Sequence, residues 1–117
     1  MTDEEQINKI KKALALDGAW TWDDCMRFLN EGRWQIFYNV SGTWITELIH
    51  TPNKKWLNVV VVAGELPGCM DLQNEVEEFA KKHNCTEITA VARLGWRDVS
   101  KNWGWKTTSM VIKKELS

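Results

Sequence analysis

The longest apolar run, residues 56–63 (WLNVVVVA), contains four consecutive valines and reads as a strand covered on both faces. Residues 64–70 (GELPGCM) follow as a loop. In residues 71–85 (DLQNEVEEFAKKHNC), Leu72, Val76, Phe79 and Ala80 share one helical stripe, with Glu75, Glu77, Lys81 and Lys82 outside it. Asn84 falls where a left-handed helix terminus is wanted. Residues 87–94 (EITAVARL) form a second strand. Residues 95–103 (GWRDVSKNW) form a short helix that groups Trp96, Val99 and Trp103, and Gly104 ends it. Two strands joined by one helix predict a parallel βαβ unit with a right-handed crossover. Ligands in such sheets bind beyond the carboxyl ends of the strands, here at residues 64–71.

Upstream, Thr2 and Glu5 make a capping-box pattern, and Ile7, Ile10 and Leu14 recur at helical spacing, so residues 3–16 read as an amphipathic helix stopped by Gly18. Thr21 and Asp24 repeat the capping pattern before Cys25, Met26, Phe28 and Leu29, the apolar side of a second helix ending near Gly32. Residues 33–40 (RWQIFYNV) and 43–51 (TWITELIHT) alternate as strands, with Ser41-Gly42 as a two-residue turn. In the second, Trp44, Thr46, Leu48 and His50 share one face and Ile45, Glu47 and Ile49 the other. Pro52-Asn53 reverses the chain into the valine strand. The closing run, 105–116, is strand-like and is expected to return antiparallel beside residues 87–94. The pattern predicts an α+β domain with a mixed, mostly antiparallel sheet and helices on both faces.

At 117 residues the chain is expected to form one domain, residues 1–117, with 1–20 as its N-terminal helical segment. A net charge of −1 without a basic stripe disfavours nucleic acid and anionic membrane as partners. The start, MTDEEQINKIKKAL, is too charged for a signal peptide or anchor, and no apolar run reaches membrane-spanning length. Three cysteines without a CxxC pair suggest reduced thiols in the cytosol. Trp supplies eight of the twelve aromatics, more than so small a domain buries easily, so some are expected at a groove or interface and the others in the core.

The ordered set TWDDCMRFLNEGRWQIF, WITE at 44–47, Ala63-Gly64, AKKHNC at 80–85 and RLGW…WGW…VIKKEL resembles the GNAT (Gcn5-related N-acetyltransferase) fold, over about residues 21–116. More narrowly, it is similar to small GNAT-like proteins of tailed bacteriophages. The resemblance implies a central sheet of about five or six strands built around the βαβ crossover. It implies that the backbone of Val61, Val62, Ala63 and Gly64 could meet the pantetheine arm of acetyl-CoA, with Gly68 and Cys69 near its diphosphate. The chain departs from the family's Gln/Arg-x-x-Gly-x-Gly/Ala loop. GELPGCMD has no Arg or Gln, Pro67 lacks a donor amide, and Glu65 and Asp71 bring negative charge.

Glu47 is the candidate general base that the resemblance implies, and a solvent-facing glutamate is the plainer alternative. The family's general-acid Tyr has no counterpart on the late helix, where Asn102, Trp103 and Trp105 stand. Trp96, Trp103 and Trp105 are the candidate interface or cleft residues. His50 and His83 lack partners at metal-ligand spacing, so no metal is expected. Cys69, just before the expected helix start, reads as a small apolar residue more readily than as a thiolate. Two functional classes follow. One is a degenerate acetyltransferase fold serving virion assembly or the particle itself, with phage structural proteins or a second copy as partner, in the host cytoplasm or on the virion. The other is an acetyl-CoA-dependent N-acetyltransferase acting on a host or phage amine. A small-ligand module using the same cleft is a third.

Overall fold

The computed structural model describes residues 3–92 and 96–116, and only the backbone of Asp17, Arg97, Asp98 and Val99. The order is α1 (Asp3–Asp17), α2 (Trp22–Asn30), β1 (Trp34–Tyr38), β2 (Gly42–Thr51), β3 (Lys54–Gly64), α3 (Leu66–Lys82), β4 (Ile88–Ala90) and α4 (Trp96–Lys101). The sheet runs β1-β2-β3-β4, antiparallel in its first three strands, and β3 and β4 are parallel across α3. It has four strands among the described residues, not five or six. The expected strand at 105–116 is an exposed coil, and the expected strand at 87–94 shrinks to Ile88–Ala90, its Arg93 and Leu94 lying outside the described residues. β-propensity without a packed partner does not make a strand.

Local chemistry explains where the helices start and stop. Gly18 takes φ 75° after α1, and Asn84 takes φ 62° after α3. At the start of α2 the Thr21 side chain accepts from the Asp24 amide at 3.1 Å, while the Asp24 carboxylate accepts from the Thr21 amide at 3.0 Å. The backbone hydrogen bond from Thr21 holds the Asp24 carboxyl below its ordinary 3.8. α3 begins at Leu66 rather than Asp71, with Pro67 in its first turn. Proline is welcome there because its missing N–H would have no intrahelical partner. The expected loop is therefore mostly helix.

The β1–β2 connection is also longer than two residues. Tyr38 pairs with Thr43, and Asn39 Oδ1 accepts from the Ser41 and Gly42 amides at 3.0 and 2.8 Å. An Asx turn of this kind gives the hairpin end its shape from one side chain.

One irregularity sets the layers. Ile45 pairs with Val61 but Thr46 pairs with Val59, so Val60 is an extra residue in β3, a β-bulge. Before it, Leu57 and Val59 pack toward α3 with Phe37, Trp44, Leu72, Val76 and Ala80. After it, Val61 and Ala63 pack toward α1 and α2 with Ile10, Leu14, Cys25, Phe28, Trp34 and Ile45. The four valines thus serve two cores, which is why no polar residue interrupts them.

The hairpin end and the start of α3 meet backbone to backbone. A Cβ on Gly42 would lie 2.7 Å from the Cys69 nitrogen and 2.8 Å from the Gly68 carbonyl carbon. Gly42→Ala should therefore destabilise the fold by about 1–3 kcal/mol, as overpacking does, read by urea unfolding. Gly18→Ala meets open space and bears only the left-handed backbone cost, about 1 kcal/mol. Equal losses in the two variants would contradict this packing. The Asp24 contribution to stability should be complete above its ordinary 3.8 and fade as the pH falls through the lowered folded value. The gap in Tm between the wild type and Asp24→Ala should accordingly close in acid.

Candidate functional site

β3 and β4 run together only from Leu57↔Ile88 to Val59↔Ala90. Beyond the bulge, residues 60–64 of β3 remain paired with β2 alone among the described residues. An unpaired strand edge offers its N–H and C=O groups to whatever lies beside it. Val61, Val62, Ala63 and Gly64, the expected pantetheine contacts, all lie on this stretch. Val61 and Ala63 turn their side chains into the α1–α2 core, so only backbone is available there.

The carboxyl end of β3 leads straight into α3, and the β1–β2 turn fills the space around that junction. The Glu65 amide donates to the Ser41 carbonyl at 2.8 Å. Asn39 Nδ2 donates to the Gly68 carbonyl at 2.8 Å, and Trp44 Nε1 donates to the Cys69 carbonyl at 2.9 Å. Gly64 and Gly68 both lie against Ser41 too closely for any Cβ. Their small size serves internal packing instead of a phosphate approach. Glu65 occupies the N-cap without a side-chain capping bond, leaving its carboxylate exposed at the mouth of the helix. The backbone edge of β3 thus suits a pantetheine arm, whereas this junction does not suit its diphosphate.

Cys69 is buried inside the first turn of α3, with Sγ donating to the Ala63 carbonyl at 3.5 Å. Burial pushes its thiol above the ordinary 9.0, and the same cause raises Cys25 and Cys85. Neutral and enclosed, Cys69 is packing material and not a nucleophile.

Glu47 lies on the α1–α2 side of β2, within a polar row that crosses the sheet: Trp34↔Glu47 and Glu47↔Asn58 are direct partners, as are Asn58↔Thr89. Arg33 Nε donates to Glu47 Oε2 at 3.1 Å, and the same guanidinium stacks 4.3 Å from the Phe28 ring. Thr89 Oγ1 donates to Asn58 Oδ1 at 3.3 Å. Trp34 Nε1 is buried without a hydrogen-bond partner among the described residues, an uncommon state for an indole donor. The sequence reading singled out Glu47 but missed Asn58 and Thr89. Only the register across three strands makes them neighbours.

Trp103 and Trp105 do come together with the core. Gln73 Nε2 donates to the Trp103 carbonyl at 2.9 Å and Gln73 Oε1 accepts from Trp105 Nε1 at 3.1 Å. Trp105 packs 6.4 Å from Trp44, centroid to centroid, and Trp96 lies 6.4 Å from Trp103. Gln73 gave no sequence signal because a helix-surface glutamine looks like any other. On the opposite side of β3, a cavity of about 380 Å³ is lined by Lys9, Lys12, Ala13 and Leu16 of α1 with Ala63 and Gly64. The sequence reading singled out neither lysine. Among the described residues no group of three His, Cys, Asp or Glu side chains could hold a metal ion, and no helix is long and apolar enough to cross a membrane.

No family model matches this chain, and no curated protein does. Solved structures do. Glucosamine-6-phosphate N-acetyltransferase from Arabidopsis thaliana aligns with a TM-score of 0.68 at 11% identity, over 99% of this chain and 95% of that one. A GNAT family acetyltransferase from Staphylococcus aureus gives 0.62 at 14% identity, over 99% and 95%. An aminoglycoside acetyltransferase from an uncultured soil metagenomic sample, in complex with sisomicin, gives 0.68 at 10% identity, over 98% and 90%. At such identities the likeness is one of fold, and the fold is α+β and GNAT-like.

The burial pattern makes a direct check of the cysteines possible. With a thiol-specific reagent at pH 8, Cys85, which is only half-buried, should react first. Cys25 and Cys69 should react only as the protein unfolds, on a timescale that shortens with added urea. Fast labelling of Cys69 in the native state would show an accessible thiolate at the start of α3.

Proposed function

We propose that this chain is a GNAT-like domain that works through contacts with other proteins rather than by acyl transfer, in the assembly of a tailed-phage particle or as a minor component of it. The observation that carries the first half is the filled junction at the start of α3. Ser41 and Gly42 occupy its approach, and Glu65 adds a carboxylate where a diphosphate would need positive charge. Arg33 already engages Glu47, and Trp103 and Trp105, which cannot donate a proton as an acid near neutral pH, stand where the family places its general acid. The phage setting rests on the sequence resemblance alone.

A second reading, an acetyl-CoA-dependent N-acetyltransferase acting on a host or phage amine, is favoured by the cavity beside Gly64. Lys9 and Lys12 could offer an anionic ligand there the charge that residues 64–71 lack. In that reading the β3 edge would hold the pantetheine arm, and the acetyl thioester is the group that acetyl-CoA supplies. Glu47 and Asn58 would orient the acceptor amine from the α1–α2 face.

Thermal unfolding with millimolar acetyl-CoA or CoA separates the two. A ligand at about a hundredfold over its Kd stabilises a fold by about 2.7 kcal/mol, a shift of several degrees in a chain of this size. No shift is expected. A clear shift, together with turnover of an amine that falls in Glu47→Gln while the Tm holds, would put the enzyme ahead. The phage half is tested by mass spectrometry of particles and assembly intermediates. Absence from both, with unchanged particle yield after deletion of the gene, would dispose of it.

A further inference from the structure

Along residues 60–64 of β3 no strand pairs with the outer edge among the described residues. β2 lies on the other side, and β4 has ended at Ala90, with Val91 and Ala92 exposed beyond it. Such an edge is about 16 Å of backbone, long enough for a short extended segment to lie along it. Its two faces differ. Toward α1 and α2 lie the side chains of Val61 and Ala63, and the cavity of about 380 Å³ opens beside Ala63 and Gly64. Toward α3 lie Val62 and Trp105, both half-buried in the cluster that holds Trp44.

The cavity is positive on one wall and apolar on the rest. Lys9 and Lys12 stand one helical turn apart on α1, with Ala13, Leu16 and Ala63 around them. Neither lysine is held in a hydrogen bond or an ion pair among the described residues. Lys9 is half-buried, and its ammonium reaches close enough to Cys69 to act on that thiol, which burial raises and which the Thr43 backbone and Lys9 pull down. Cations at the end of an open strand edge, with no carboxylate to answer them, make a place for an acidic side chain. Glu65 follows, exposed at the mouth of α3, so carboxylates are welcome beside Ala63 but repelled past Gly64.

We propose that an extended acidic segment of a partner protein adds as a strand to residues 60–64 of β3, its carboxylates meeting Lys9 and Lys12. Strand geometry then dictates the partner's sequence. Successive side chains of the added strand point to opposite faces, so acidic residues toward α1 alternate with apolar residues, which pack on Val62 and Trp105 toward α3. Backbone hydrogen bonds to the edge supply affinity without regard to sequence, and the alternation supplies selectivity. The inference rests on the reading of this chain as one that works through protein contacts, and it gives that partner its chemistry.

A fluorescein-labelled peptide of about seven residues, glutamate and valine in alternation, titrated with the full chain and read by anisotropy, tests it. Binding should weaken as salt is added. Lys9→Glu with Lys12→Glu should weaken it at least tenfold at an unchanged Tm, and the same variant should instead take up a peptide that carries lysine for glutamate. Methylating the backbone nitrogens of the valines in one version and of the glutamates in another should abolish binding in only one of the two, because alternate N–H groups of an added strand face the edge. Mass spectrometry of particles tests the protein-contact reading by a separate measurement, so a failure of one is not mistaken for a failure of the other. No binding of the glutamate peptide, equal binding of the lysine peptide by the wild type, or a like effect of the two methylations would overturn the proposal.

Discussion

The extra residue at Val60 is the constraint on which the rest of this molecule depends. Without it, Leu57, Val59, Val61 and Ala63 would all point to one face, and the α1–α2 cluster would lose Val61 and Ala63. With it, the strand changes allegiance partway along, and two clusters of buried side chains share a single set of valines. A bulge also sharpens the local twist, and β4 ceases to pair with β3 immediately before Val60. The switch between cores and the end of β3–β4 pairing therefore fall at the same place, which leaves residues 60–64 of β3 with one open edge among the described residues.

The opening so created runs into a junction that is closed. Gly42, Gly64 and Gly68 let the hairpin turn approach the first turn of α3 at distances no side chain would permit, and Asn39 ties the turn to itself and to that helix. Glycines near a helix start are ambiguous in sequence, because close approach of backbone to a phosphate and close approach of backbone to backbone demand the same residue. The neighbours decide. Here the neighbour is Ser41, 23 positions before Gly64, a relation no local motif expresses.

Much of the fold was legible because its signals are local. The Thr21–Asp24 capping pair, the stripe Leu72, Val76 and Ala80, the left-handed Asn84 and the alternation of β2 all appear where short-range spacing places them, whereas Thr2 of the other expected pair lies outside the described residues. The misplaced start of α3 came from reading Pro67 as a loop residue when a helix tolerates it in its first turn. The overlong last strands came from propensity unsupported by a partner. The site was much less legible. Glu47 could be picked out as a carboxylate on a central strand, but its link to Arg33, and its place in a row with Asn58 and Thr89, depend on strand register. Register is a property of pairs of strands and is not written in either one.

The abundance of tryptophan finds a structural reason in this division of the core. Trp34 belongs to the α1–α2 cluster, where it meets Phe28 at 4.9 Å and Trp20 at 5.5 Å, whereas Trp44 belongs to the α3 cluster and meets Trp105. A thin domain with two small cores gains more from large planar side chains than a thick domain with one, since each indole covers a wide area with few rotatable bonds. Trp34 does so at the cost of a buried N–H without a partner among the described residues, and Trp44 and Trp105 avoid that cost by donating to the Cys69 carbonyl and to Gln73. The surplus of indoles therefore does not by itself mark a binding surface. The exposed apolar side chains of residues 110–116, by contrast, carry no aromatic ring and lie outside both clusters.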